Sequence, residues 1–89
     1  MICLFKNLIE KYVNNMNIND LIAFSHKENI YLENNEYLEI YDFIKSNWDI
    51  IIKDSNLVKD YLYSHFNGNK SSEIYNMYLK YKKKYSAYL

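Results

Sequence analysis

The order of apolar and polar side chains along the chain reads as a succession of one-sided helices. Leu4, Phe5, Leu8, Ile9, Tyr12, Val13 and Met16 recur at steps of three and four, with Lys6, Asn7, Glu10, Lys11 and Asn14 on the opposite side. Asn17 and Asp20 have the spacing of a capping box, in which short polar side chains satisfy the free N–H groups of a starting turn. They predict a second helix from Ile18 to about Lys27. Beyond Asn29, the residues Ile30, Tyr31 and Leu32 read as extended. A third helix is expected from about Asn34 to Ser46, with Tyr37, Ile40, Tyr41, Ile44 and then Trp48 along its inner side.

Ile50, Ile51 and Ile52 are consecutive β-branched residues, which favours an extended, buried connector between Asp49 and Lys53. Asp54 or Ser55 can cap a fourth helix whose inner side is Leu57, Val58, Tyr61, Leu62, His65 and Phe66. Gly68, the only glycine, is expected to close it in a left-handed C-cap. Ser71 or Ser72 then opens a fifth helix that reaches almost to the end. The fold expected is an all-α, compact single domain spanning 1–89 and built of about five short amphipathic helices. The extended pieces 30–32 and 50–52 either pair as a minimal ribbon against those helices or remain single connectors.

Composition supports a folded chain. Hydrophobic residues make up 49% of the 89 positions and charged residues 25%, outside the polar, highly charged regime of disordered segments. The longest apolar run, Met1 to Phe5, is five residues and ends at Lys6, and others, as in Leu21 to Phe24, are four, so neither a bilayer span nor a signal-peptide core is expected. That reading places the protein in the cytoplasm. Cys3 is the single cysteine, which excludes an internal disulfide and a thiolate metal cluster. Asn, Lys, Ile and Tyr occur 13, 11, 11 and 11 times, while Arg, Gln, Thr and Pro are absent. These preferred residues have A- and T-rich codons, so an AT-rich genome accounts for part of the Tyr and Lys content.

The succession Asn7-Leu8-Ile9, Val13-Asn14, Asn17-Ile18-Asn19-Asp20-Leu21, Asn29-Ile30-Tyr31-Leu32 and Ile51-Ile52-Lys53-Asp54 resembles a family of short proteins from low-GC Gram-positive bacteria, defined by a domain of unknown function. The resemblance spans roughly residues 4 to 80. It implies a fold and brings no catalytic residues. Glu33 stands where that family tends to have Thr, and Asn56-Leu57 where it tends to have a basic residue after the cap.

The residues able to carry chemistry are scattered. His26 sits near a predicted helix C-terminus, where an imidazolium suits the exposed carbonyls. His65 lies beside Tyr61 and Phe66, as expected of a hydrogen-bonded histidine at the margin of a core, and Cys3 has no histidine near it in sequence. Glu33, Glu36, Glu39 and Asp42 each step about 300° around a helix, so they wind away from one another and read as a solvated face. No catalytic residue, metal, cofactor or small-molecule substrate is indicated.

The C-terminal segment interleaves two stripes. Tyr78, Tyr81, Tyr85 and Tyr88 lie within about 60° of Ile74 on a helical wheel, whereas Lys80, Lys83 and Lys84 fall on the other side. The tyrosines are the candidate anchors of a protein–protein contact, with another protein or with a second copy. The alternative is a weak RNA- or DNA-binding module in which Lys80, Lys82, Lys83 and Lys84 neutralise phosphates. The absence of Arg removes the usual bidentate phosphate ligand. Net charge is zero, but residues 1–60 carry ten acids and six lysines and residues 61–89 one acid and five lysines. These opposite fields can dock the last helix onto its own domain or onto another copy.

Overall fold

Every helix needs partners for the free N–H groups at its start and the free carbonyls at its end, and those partners divide this chain into five rods. The computed structural model describes residues 2–85, with side chains over 6–84. The elements are α1 (Ile2–Asn15), α2 (Ile18–Lys27), α3 (Asn34–Ile51), α4 (Ser55–His65) and α5 (Gly68–Tyr85). Among the described residues there is no strand, and no helix is long and apolar enough to cross a membrane.

The box at the start of α2 forms as its spacing predicts. Asp20 N–H donates to Asn17 Oδ1 and Asn17 N–H to Asp20 Oδ2, each at 3.0 Å. The other end of α2 closes on Asn29, whose φ of 62° is the left-handed turn of a Schellman motif. Ile30 N–H reaches back to Ser25 O at 2.9 Å and Asn29 N–H to His26 O at 3.0 Å. Asp54 Oδ1 caps α4 by accepting from Asn56 N–H and Leu57 N–H, both at 3.1 Å.

Two expectations fail at helix boundaries. Ile50 and Ile51 belong to α3, and Ile52 has φ −74° and ψ −14°, so 50–52 is not an extended connector and does not pair with 30–32. Burial overrides the β-branched preference, because Ile51 packs against the core and Tyr78 Oη captures its carbonyl at 2.5 Å. The helix continues past Ser46 through a kink at Asn47, φ −133° and ψ 19°, where Asn47 Nδ2 donates to Phe43 O at 3.1 Å.

Gly68 does not close α4. It has no positive φ and is the first residue of α5, which begins three residues ahead of Ser71, with Asn67 Oδ1 accepting from Lys70 N–H at 2.9 Å. A Cβ at Gly68 would meet nothing within 4 Å. Gly68→Ala is therefore expected to stabilise the fold by about 0.4–1 kcal/mol through the unfolded chain's lost freedom. A urea midpoint that falls would restore the left-handed cap.

Helix α3 touches α1, α2 and α4, and α5 lies along α4. The core is Ile30, Val58, Leu62, Phe66 and Ile74, with Ile40, Tyr61 and Met77 packed against it. Helix α1 is less buried than its periodicity predicts: Val13 is enclosed, while Leu8 and Tyr12 are 57% and 71% exposed. Two buried polar side chains, Ser25 and the fully enclosed Ser71, complete the interior. Ser71 Oγ donates towards Leu62 O (2.8 Å) and Phe66 O (3.1 Å), both at the end of α4.

Candidate functional site

Tyrosine hydroxyls reach carbonyls far away in sequence, and this pattern shapes the interior. Tyr41 donates to Met16 O at 2.9 Å, just beyond α1, and Tyr61 to Glu39 O at 3.4 Å. Tyr78 donates to Ile51 O at the end of α3. Tyr41 and Tyr78 in this way satisfy carbonyls at helix ends, which have no partner within the helix. Around α2, Ser25 Oγ donates to Ile30 O and lies 2.9 Å from Tyr37 Oη, which also accepts from Leu32 N–H at 3.3 Å. No buried side-chain nitrogen or oxygen among the described residues lacks a partner.

Long, rigid rings holding helices apart leave space between them. An apolar cavity of about 310 Å³, partly open to the outside, is lined among others by Tyr12, Met16 and Asp20 and by Leu62, Ile74 and Met77. All five helices contribute to its wall. Phe43, stacked on Tyr61 with ring centroids 3.7 Å apart, is one side of it. A second, wider hollow of about 440 Å³ lies outside, lined by Leu8, Lys11, Tyr12, Asn15, Met16 and Asp20. Tyr12, Met16 and Asp20 line both, so the outer hollow, termed the vestibule, adjoins the inner one.

The C-terminal tyrosines are used within the chain. Tyr78 is half-buried against α3, and Tyr81 Oη donates to Glu28 Oε2 at 2.6 Å with its ring 5.4 Å from that of Phe24. The side chain of Tyr85 and the whole of Tyr88 lie outside the described side chains and residues. Lys80 pairs with Glu28 at 2.6 Å, and Lys82 Nζ donates to Ser55 Oγ at 2.6 Å. Lys84 lies over the Tyr81 ring at 5.9 Å, and Lys83 is exposed. Lys70 pairs with Glu36 at 2.9 Å. The basic C-terminal part thus docks onto the acidic remainder of the same chain.

The remaining chemical candidates diverge. Glu36 faces Lys70 and Glu33 N–H, whereas Glu39 faces His65 Nδ1 at 2.5 Å. His65 also stacks on Tyr61 at 4.3 Å, and His26 lies against Tyr31 at 4.8 Å. The side chain of Cys3 lies outside the described ones. No group of three or more His, Cys, Asp or Glu among the described residues could hold a metal ion.

Lys80 and then Tyr81 hold the Glu28 carboxyl below its usual range by hydrogen bonding, and Glu33 N–H with Lys70 does the same for Glu36. Both carboxylates contribute stability above their unfolded pKa that is lost as pH falls through the lower folded one. On the alkaline side, burial pushes the Tyr61 phenol up to about 12, with the charges of Glu39 and Asp42 adding to it. Its contribution is complete below the unfolded value of about 10 and disappears as pH rises towards about 12. Urea midpoints across that window are expected to fall more steeply for the native chain than for Tyr61→Phe. Equal slopes would contradict the buried phenol.

Sequence reasoning missed the cavity and three residues that frame it, Ser25, Phe43 and Tyr37 Oη. A small polar residue on an apolar face, as at Ser25 and Ser71, was the available signal for enclosed hydrogen bonds. A scan against family models and searches of curated proteins and of solved structures return no match.

Proposed function

We propose that this protein is a non-enzymatic binding domain whose interior takes a compact hydrophobic guest. The observation that carries this reading is the apolar cavity. At about 310 Å³ it falls within the range of ligand pockets, ~300–1,000 Å³. Of the polar side chains on its wall, Ser25, Tyr37, Tyr61 and Tyr78 already have partners, so these present little to hold water.

Magnitude argues for a guest. The ~24 cal/mol per Å³ of closed cavities sets an upper bound of about 7 kcal/mol on leaving this partly open space of about 310 Å³ unfilled. That is comparable with the whole stability of a small domain, about 5–15 kcal/mol. A molecule filling the space recovers dispersion contacts and binds the folded state selectively. Decanol at about a hundredfold excess over its Kd is expected to add ~2.7 kcal/mol and to raise the thermal midpoint. An unchanged midpoint at saturating decanol contradicts the reading.

Protein–protein contact is the second reading, and one observation favours it. Leu8 and Tyr12, one turn apart on α1, are the exposed large apolar side chains beside the vestibule. Light scattering after size exclusion tests self-association; a strictly monomeric protein would leave that strip without a second copy. Phosphate binding by Lys80, Lys82, Lys83 and Lys84 competes with contacts that Lys80 and Lys82 make to Glu28 and Ser55. A mobility shift at low salt that weakens when the four become Ala is the outcome that would favour it.

A further inference from the structure

Resting on the cavity reading, we infer that the guest is a single-chain carboxylate of roughly eight to twelve carbons, its chain inside and its head beside Lys11. The inner space limits the chain. At about 310 Å³ it is roughly twice a cavity that accommodates the six heavy atoms of benzene, which sets the guest near a dozen heavy atoms. A two-chain lipid does not fit.

The vestibule selects the head. Of its six lining residues only Lys11 and Asp20 are charged, and they differ in what they already do. Asp20 accepts from Asn17 N–H and sits in the first turn of α2, where the positive end of the helix dipole offsets part of its charge. A cationic head placed there would be opposed by that same dipole. Lys11 is exposed, and its ammonium makes no hydrogen bond or ion pair among the described residues. Lys45, whose Nζ donates to Asn14 O at 3.0 Å, adds a second positive charge at the end of α1. An anion at the vestibule stays in contact with water, so its charge is not taken into the apolar interior. The carboxylate gains Lys11 without the desolvation that a buried ion pair requires.

Isothermal titration of the full chain with decanoate and with decanol, below the concentrations at which either aggregates, tests the assignment. Decanoate is expected to bind the native protein more tightly than Lys11→Gln by roughly three- to tenfold, and more tightly still than Lys11→Glu, with an advantage that shrinks as salt is raised. Decanol is expected to bind all three alike. Lys11 is exposed, so circular dichroism of the variants should match the native spectrum. If decanoate and decanol bind equally and neither Lys11 variant changes decanoate affinity, the head assignment is overturned while the cavity reading stands. If neither compound binds the native protein, both are overturned.

Discussion

Leu62→Ala is expected to remove about 2–5 kcal/mol of stability. Leu62 is 3% exposed and belongs to the cluster that joins the α2–α3 link, α4 and α5. It also lies on the cavity wall, so truncation enlarges a space that the neighbouring helices already fail to close. For 89 residues at ~0.05–0.15 kcal/mol each, the total is about 4–13 kcal/mol, so the variant loses a large share of it and its urea midpoint should fall sharply. Leu57→Ala, on the same helix but 37% exposed, is the control and should cost less than about 1 kcal/mol. Urea titrations of the two variants decide the matter. Similar midpoints would mean that the side of α4 facing the core has been misassigned.

Filling the cavity should have the opposite sign. Leu21→Trp places a large ring on the cavity wall from α2, where extra atoms meet space instead of packed neighbours. Cavity-filling substitutions commonly add about 0.5–2 kcal/mol. The same ring should abolish binding of decanol and decanoate together, because it occupies the volume either would use. Stabilisation with loss of binding is the combination expected, measured by thermal melts and calorimetry on one sample. A variant destabilised by 1–3 kcal/mol would show overpacking, hence a wall already in contact.

The helices were legible where local chemistry and tertiary packing agree. The Asn17–Asp20 box forms as its spacing implies, and Val58, Leu62 and Phe66 turn inwards as their periodicity predicts. Reading failed where tertiary contacts outweigh local preference. Three isoleucines favour an extended chain by a few tenths of a kcal/mol each, and burial of Ile51 exceeds that sum. Asn67-Gly68-Asn69 carries signals both for ending and for starting a helix; the Asn67 cap selects starting, and α4 ends instead on Phe66 in an extended conformation, φ −131° and ψ 160°.

The tyrosines show why the candidate site was less accessible than the fold. Spacing places Tyr78 and Tyr81 on one stripe of α5, but cannot show that their hydroxyls end on Ile51 O and Glu28. Codon bias explains why tyrosine is frequent. The hydrogen bonds of Tyr37, Tyr41, Tyr61 and Tyr78 show what the fold does with it. A cavity is a remainder between packed elements, so no periodicity announces it.

Methyl-resolved NMR under xenon pressure addresses the interior directly, since xenon enters dry apolar cavities without needing a polar handle. Shifts are expected at the methyls of Leu21, Ile40, Ile44 and Ile51, which line the cavity, and not at that of Ala23, which is exposed on α2. Saturable shifts confined to that set would establish a guest-accessible interior. Methyls that do not respond, or that all respond alike, would contradict it.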